Sequence, residues 1–399
     1  MKNKNFLILL YLIFTLSFLG CSSSEINSSK NDYEPTRLTL TAVGDVMAHS
    51  PQLQAQYDNS TGTYSFDNNF KYIKKYIESS DLSIANLETT LAGEDIGYSS
   101  YPTFNSPDAL ATALKNTGFD VISTINNHSF DKGTLGFERT LTVLKNLGLD
   151  TVGTQSNIDD DNYIIKEING INLGITSFTY GDIVGSDKYL NGIKISNECK
   201  NKANVFSSTD VESAFDTINN TLSNLKDTDM QIVILHWGNE YQRTPNTFQS
   251  ELAQKLSDVG VDIIIGSHPH VVQPVEMISS SDGKNETLVV YSLGNLISNQ
   301  RRELLGTSYT EDGLIVTFDI CKDSLDKEAY VSNVTCIPTW VNKYTSDSKL
   351  VYEVVPIDDE YILSYMQNLP QNKVEESYDN TASLINTSDI IQVVNNPFE

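Results

Sequence analysis

Short apolar runs that end in Gly, Asn, Asp or His, each followed by an amphipathic stretch, repeat along the chain from Leu38 onward. A compact apolar run closed by turn residues is a buried strand, and an apolar stripe at helical spacing is a helix face. The repeat therefore predicts a βα alternation. The strands predicted are residues 38–43, 82–87, 121–125, 171–178, 231–236, 261–265 and 287–293. Ile232, Val233, Ile234 and Leu235 are apolar without interruption, as are Ile263, Ile264 and Ile265, which marks strands covered on both faces. Ser106-Pro107 reads as a cap and first-turn proline opening a helix, and Leu252, Leu256 and Val259 form the stripe of another. After about Arg302 the text alternates over residues 313–320, 330–340 and 351–357, predicting antiparallel strands that complete a second sheet. Residues 38–357 read as one domain, and the acidic segment 358–399 as a surface helix and a loose tail.

The N-terminus follows another pattern. Lys2 and Lys4 precede an apolar run over residues 6–19, shorter than the ~20 residues a spanning helix needs, so residues 1–20 read as a signal peptide. Gly20-Cys21 ends the run and a serine-rich polar stretch follows. That order resembles a bacterial lipobox, which implies a lipidated Cys21, a polar tether over residues 21–37 and anchorage on the extracellular face of the cell membrane.

Charge and cysteine usage narrow the partners. With 27 Lys+Arg against 52 Asp+Glu the formal net charge is -25, which argues against nucleic acid, because phosphate binding needs clustered cations. Cys199, Cys321 and Cys336 have no CxxC spacing, so thiolate zinc is not expected. A hairpin of the strands near 313–321 and 330–338 sets Cys321 opposite Tyr330 rather than Cys336, so no disulfide is expected either.

Candidate chemistry gathers at the strand ends. All five histidines, His49, His128, His236, His268 and His270, lie at or within a few residues of the end of a predicted strand. In open α/β folds those ends form the ligand crevice. Asp45, Glu88, Asn127 and Glu240 stand beside them. Alone, Asp45 is a turn or cap residue and Asn126-Asn127 is a turn. His268-Pro269-His270 is harder to read that way, because imidazoles two apart on an extended segment point to one side. Together these oxygen and imidazole donors suit a borderline divalent metal such as Mn, Fe or Zn.

Six ordered motifs then match a family: Gly44-Asp45; Asn86-Leu87-Glu88; Asn126-Asn127-His128 with Asp131 and Gly133; His236-Trp237-Gly238 with Glu240-Tyr241; Gly266 to Pro274 around His268-Pro269-His270; and Ser292-Leu293-Gly294-Asn295. The chain resembles the CapA/PgsA family of poly-γ-glutamate capsule biosynthesis proteins, itself similar to the calcineurin-like metallophosphoesterases. The resemblance implies a four-layer α/β/β/α sandwich with a two-metal site at the strand ends. It implies Asp45 and His270 on one ion, Asn127, His236 and His268 on the other, Glu88 bridging, and His128 outside both as proton donor. Metallophosphoesterases carry Asp-x-His in the first motif, whereas Val46-Met47 follows Asp45 here and His49 is out of register, so the first ion is expected to bind more weakly. Arg301 and Arg302 read either as a clamp for an anionic substrate group or as solvated surface arginines. The resemblance implies work on an anionic poly-γ-glutamate or phosphoester substrate beside membrane polymer-synthase subunits. A general exported phosphoesterase and a non-catalytic subunit of a polymer machine are the competing readings.

Overall fold

The computed structural model describes residues 34–324, 327–358, 363–364 and 369–397. The expected signal peptide, Cys21 and most of the tether lie outside the described residues. Among those residues, no helix is long and apolar enough to cross a membrane.

The uninterrupted apolar runs are explained by two sheets packed face to face with helices outside them. Along Met230–His236, Ile232 and Ile234 enter the core between the sheets, while Val233 and Leu235 enter a second core against helices. Ile263 and Ile265 likewise face inward and Ile264 outward. In the other sheet Leu38, Leu40 and Ala42 face inward, and Val43 turns outward to a third core. Successive strand residues point to opposite faces, so a strand buried on both sides must be apolar at every position. The result is an α/β/β/α sandwich of the metallophosphoesterase type, as the resemblance implied. The outer helices include Asp108–Thr117 and Gly133–Asn146 on one face, and Val211–Leu222 and Thr247–Asp258 on the other.

The first sheet runs in the order Lys349–Pro356, Tyr330–Ser346, Asp312–Lys322, Thr36–Val46, Leu82–Leu87, Val121–Ser123, Asp150–Val152. The second is built on Ile171–Val184, Met230–His236, Ile263–Ser267, Glu286–Val290 and Val275–Ser279. Thr36–Val46, Leu82–Leu87 and Val121–Ser123 are parallel, as are Ile171–Val184, Met230–His236 and Ile263–Ser267. The C-terminal antiparallel strands complete the sheet that holds the chain's first strand. Cys321 pairs with Tyr330 in register, and Cys199, Cys321 and Cys336 are free buried thiols.

Several expectations needed correction. Pro107 takes the cap position of Asp108–Thr117, while Ser106 Oγ lies 2.8 Å from Thr89 Oγ1 instead of capping the helix. Val259 falls just past Thr247–Asp258 and is 42% exposed, so the apolar stripe ends at Leu256. The tail is not loose: after the helix Gln371–Ala382, residues Ile391–Val393 add a parallel strand beside Val334, Thr335 and Cys336. Tyr163–Ile168 and Val275–Ser279 are strands with no matching expectation, since their half-buried polar positions weaken the apolar signal.

Close backbone approach fixes the junction near the strand ends. A β-carbon built on Gly44 would lie 1.9 Å from the Gly294 carbonyl oxygen, to which Asp45 N–H donates at 3.0 Å. Only glycine lets the Ser292-Leu293-Gly294-Asn295 segment pass beside the first strand and bring Asn295 next to Asp45.

Candidate metal centre

Six strand ends from two sheets deliver the polar residues to one place. Asp45 closes Thr36–Val46, Glu88 follows Leu82–Leu87, and Asn126, Asn127 and His128 follow Val121–Ser123. His236 closes Met230–His236, His268 and His270 follow Ile263–Ser267, and Asn295 opens Asn295–Ile297. All of these side chains are buried.

The contacts fall into two sets around Glu88. In one, Asp45 Oδ2 lies 3.2 Å from His270 Nδ1, and Asn295 Oδ1 lies 3.1 Å from the same nitrogen. In the other, Asn127 Oδ1 lies 2.9 Å from His236 Nε2, and Ser267 Oγ lies 2.9 Å from His236 Nδ1. Glu88 Oε1 stands between them, 3.6 Å from His236 Nε2 and 3.7 Å from His270 Nε2. Asn86 Nδ2 donates to Asp45 Oδ1 at 2.7 Å and Asn126 Nδ2 donates to the Leu87 carbonyl at 2.8 Å, locking the motifs to one another. His268 and His270 do not sit on extended backbone, as their spacing had implied. They occupy left-handed conformations, φ 96° and 57°, and still converge with ring centroids 5.9 Å apart. Non-glycine residues adopt that region at a cost that a surrounding structure must cover, and such strain concentrates at functional sites.

Electrostatics leave the His236 and His268 imidazoles in their ligating form and the Glu88 carboxyl in need of a cation before it gives up its proton. Burial, then Asp45 and Glu240, push the Glu88 carboxyl well above the ordinary range. Burial and the neighbouring imidazoles hold His236 and His268 well below the usual histidine value, so both present neutral nitrogens. Neutral imidazole is the ligating form. Both Glu88 oxygens and His268 Nδ1 are buried without a hydrogen-bond partner. Unpaired polar atoms are costly inside a protein, and a bound cation satisfies carboxylate and imidazole donors together. Glu88, His268 and His270 offer donor atoms within 4.8 Å of one another, and so do Asp45, Glu88 and His236. Each trio could hold a metal ion, and Glu88 belongs to both.

The remaining predicted residues separate. His128 Nδ1 lies 2.8 Å from Asp131 Oδ2, and its ring meets Phe104 edge-on at 4.7 Å, an arrangement that orients the imidazole. Cys21 lies outside the described residues. Arg301 and Arg302 are neither a free anion clamp nor solvated surface. Arg301 is buried, donating to the Val341 carbonyl at 2.5 Å and paired with Glu311 at 3.3 Å, while Arg302 pairs with Glu311 and Glu376 at 3.3 and 3.0 Å. Their guanidiniums neutralise a buried carboxylate, a demand that spacing alone did not reveal. His49 is not joined to Asp45: its Nδ1 accepts from Asn299 N–H at 3.2 Å, and burial lowers its pKa to about 4. Sequence reasoning quoted Asn86 and Asn295 as motif residues without giving them work, and it missed Tyr180, whose ring stacks parallel to His236 at 6.3 Å.

Fold and cluster together define a metallophosphoesterase-like sandwich with a potential metal centre at the strand ends. A family model described as bacterial capsule synthesis protein PGA_cap matches residues 39–300, and the chain belongs to that family. The chain is 28% identical over 330 residues to a PGA biosynthesis protein CapA of Bacillus subtilis (strain 168), covering 80% of this chain and 78% of the relative. A capsule biosynthesis protein CapA of Bacillus anthracis is 28% identical over 297 residues, 72% of this chain and 65% of the relative.

Proposed function

We propose that the chain is an exported, surface-anchored CapA-like protein acting in the synthesis, export or attachment of an anionic poly-γ-glutamate polymer, through a divalent metal centre. The observation that carries the reading is Glu88, a fully buried carboxyl whose oxygens both lack a hydrogen-bond partner and whose Oε1 faces His236 and His270 alike. The family membership and the names of the two relatives support the capsule role. In this reading the resemblance would put Asp45 and His270 on one ion and Asn127, His236 and His268 on the other, with Glu88 shared. The donor atoms within reach of one another instead group Asp45 and His236, and His268 and His270, around Glu88; Mn, Fe or Zn would suit either division. When bound, such ions lower the pKa of water and polarise a phosphoryl or acyl oxygen.

The chain's own residues do the rest. Asn86 and Asn295 hold Asp45 and His270 in place. Asp131 accepts at His128 Nδ1, which leaves Nε2 as the nitrogen that delivers a proton to a leaving group. Residues 1–20 act as the signal peptide and Cys21 as the lipid anchor to the outer membrane face. Membrane polymer-synthase subunits are the expected neighbours. Mass spectrometry of the mature N-terminal peptide tests the anchor, and an unmodified Cys21 overturns it.

The central test is metal analysis of the full chain in detergent, paired with turnover of a phosphodiester panel and of γ-glutamyl chains. Metal-dependent turnover supports the reading, and cleavage confined to phosphodiesters points instead to a general exported phosphoesterase. Metal-free, inert protein indicates a non-catalytic subunit.

A further inference from the structure

Of the five histidines, His49 alone has no part in the proposed metal centre or in proton delivery. It follows Asp45 by four residues and opens the helix Ser50–Gln56 as its N-cap. The neighbours hold it firmly. Gln52 Oε1 accepts the His49 backbone N–H at 2.8 Å, while Gln52 Nε2 donates to the Met47 carbonyl at 3.1 Å and so fixes which end of the amide faces His49. Phe104 meets the rings of both His49 and His128 edge-on, with centroids at 5.2 and 4.7 Å. His270 and His128 both lie close enough to disfavour a positive charge on His49.

The tautomer follows from these contacts. A backbone N–H can only donate, so the Asn299 N–H at 3.2 Å requires a lone pair on His49 Nδ1. Gln52 Oε1 lies 3.3 Å from the same nitrogen, but that oxygen already accepts from the His49 backbone. A hydrogen on Nδ1 would set two hydrogens against each other and leave the Asn299 N–H unpaired. The ring proton therefore sits on Nε2. Burial, opposed by Gln52 and reinforced by His270 and His128, lowers the pKa to about 4 and keeps the ring neutral. Among the described residues Nε2 has no hydrogen-bond partner, and the side chain is half-buried where the cluster donors are closed off. A neutral, oriented N–H donor is left free at the edge of the cluster.

An anionic substrate group needs such a donor here, because the cations packed around Asn299 and the helix after it are committed elsewhere. Lys343 bonds Asn299 Oδ1 and faces Glu303, while Arg301 and Arg302 pair with Glu311 and Glu376. We propose that His49 Nε2–H is a substrate-binding group that donates a hydrogen bond to an anionic oxygen, phosphoryl or carboxylate, of the substrate held at the ions. The assignment rests on the proposed reading of the cluster. A neutral donor suits the place, since it adds a directed bond without repelling divalent ions beside it, as an imidazolium would. The histidine that is out of register for metal ligation thus meets the substrate instead, on the side of His128 and His270.

Two substitutions separate the two edges of the ring. In His49→Asn the amide oxygen replaces Nδ1 as acceptor for the Asn299 N–H, and nothing replaces Nε2–H. In His49→Gln the longer amide returns an N–H near the position of Nε2 and gives up the acceptor at Nδ1. Isothermal titration calorimetry of the full chain in detergent, loaded with Mn(II), measures binding of inorganic phosphate and of tri-γ-glutamate. Metal content and thermal midpoint are taken on the same preparations. The wild type is expected to bind at least one probe, and which one it binds assigns the oxygen to a phosphoryl or a carboxylate group. His49→Asn is expected to weaken that binding by about tenfold or more at unchanged metal content, and His49→Gln by less than about threefold. A purely structural role predicts the reverse order, with His49→Gln the more impaired in both binding and midpoint. That order, unchanged affinity in His49→Asn, or equal loss in both variants overturns the contact. Metal lost from His49→Asn overturns it as well, by tying His49 to the ions. Metal-replete wild type that binds neither probe sinks the contact alone, whereas wild type that takes up no metal sinks the reading of the cluster and the contact with it.

Discussion

Asn127 Oδ1 lies 2.9 Å from His236 Nε2, joining the end of a strand in one sheet to the end of a strand in the other. The two residues are 109 positions apart, and the contact forms only because both sheets direct parallel strand ends to the same edge of the sandwich. It also makes His236 the residue whose loss should empty the centre, since its nitrogen faces both Asn127 and Glu88. His236→Ala is expected to deplete metal and abolish turnover together. Inductively coupled plasma mass spectrometry against the wild type decides this, and retained metal would place the ions elsewhere.

His128 should behave differently. Its contacts are with Asp131, Phe104 and Asn191, not with the cluster donors. His128→Ala is expected to keep its metal and lower any hydrolytic rate by roughly 100-fold or more, the scale of a lost general acid. Loss of metal in this variant would make His128 a ligand, and an unchanged rate would move proton delivery to another group.

Much of the fold was legible because a strand covered on both faces must be apolar throughout, and the runs at 232–235 and 263–265 say so directly. The cluster was legible because its donors stand at the ends of those runs. Other parts carried no such signal. Arg301 reads as an anion clamp or a solvated surface arginine until Glu311 is found buried beneath it. The left-handed backbone at His268 and His270 is imposed by tertiary contacts, including the bond from His268 N–H to Asp45 Oδ2 at 3.3 Å, and no local residue pattern announces it.

Asp312 should give stability a pH dependence away from the cluster. Burial raises its pKa from 3.8 to about 7, opposed by Ser377 and Asn380, with Glu311 reinforcing the rise and Arg243 opposing it. Raised in the folded state, the group contributes stability that is fully present below its unfolded pKa and lost as pH climbs through about 7. Asp312→Asn mimics the protonated form and keeps an acceptor for Asn380, whose Nδ2 lies 3.0 Å from Asp312 Oδ2. Thermal midpoints of variant and wild type are expected to agree below about pH 4, to separate progressively from about pH 4 to about pH 7 and to stay apart above it, with the variant higher. Parallel curves across that span would remove Asp312 as the source.

Arg301 and Arg302 allow a structural role to be separated from substrate binding. Glu311 is buried, and it accepts from Trp340 Nε1 at 3.2 Å and Arg302 N–H at 2.9 Å while pairing with Arg301 Nη2 at 3.3 Å. Removing one partner of a buried ion pair strands the other charge in a medium that solvates it poorly, at a cost of about 3–5 kcal/mol. Arg302 keeps Glu311 partly compensated, so Arg301→Ala is expected at the low end of that range. The Arg302 side chain is 29% exposed, and its pairs with Glu311 and Glu376 are worth less, so Arg302→Ala should cost about 1 kcal/mol. Urea denaturation of both variants measures these differences, and KM on whichever substrate turns over supplies the independent readout. A structural role predicts lowered urea midpoints with KM unchanged in Arg302→Ala. A KM raised tenfold at unchanged stability would instead return the arginine to the substrate.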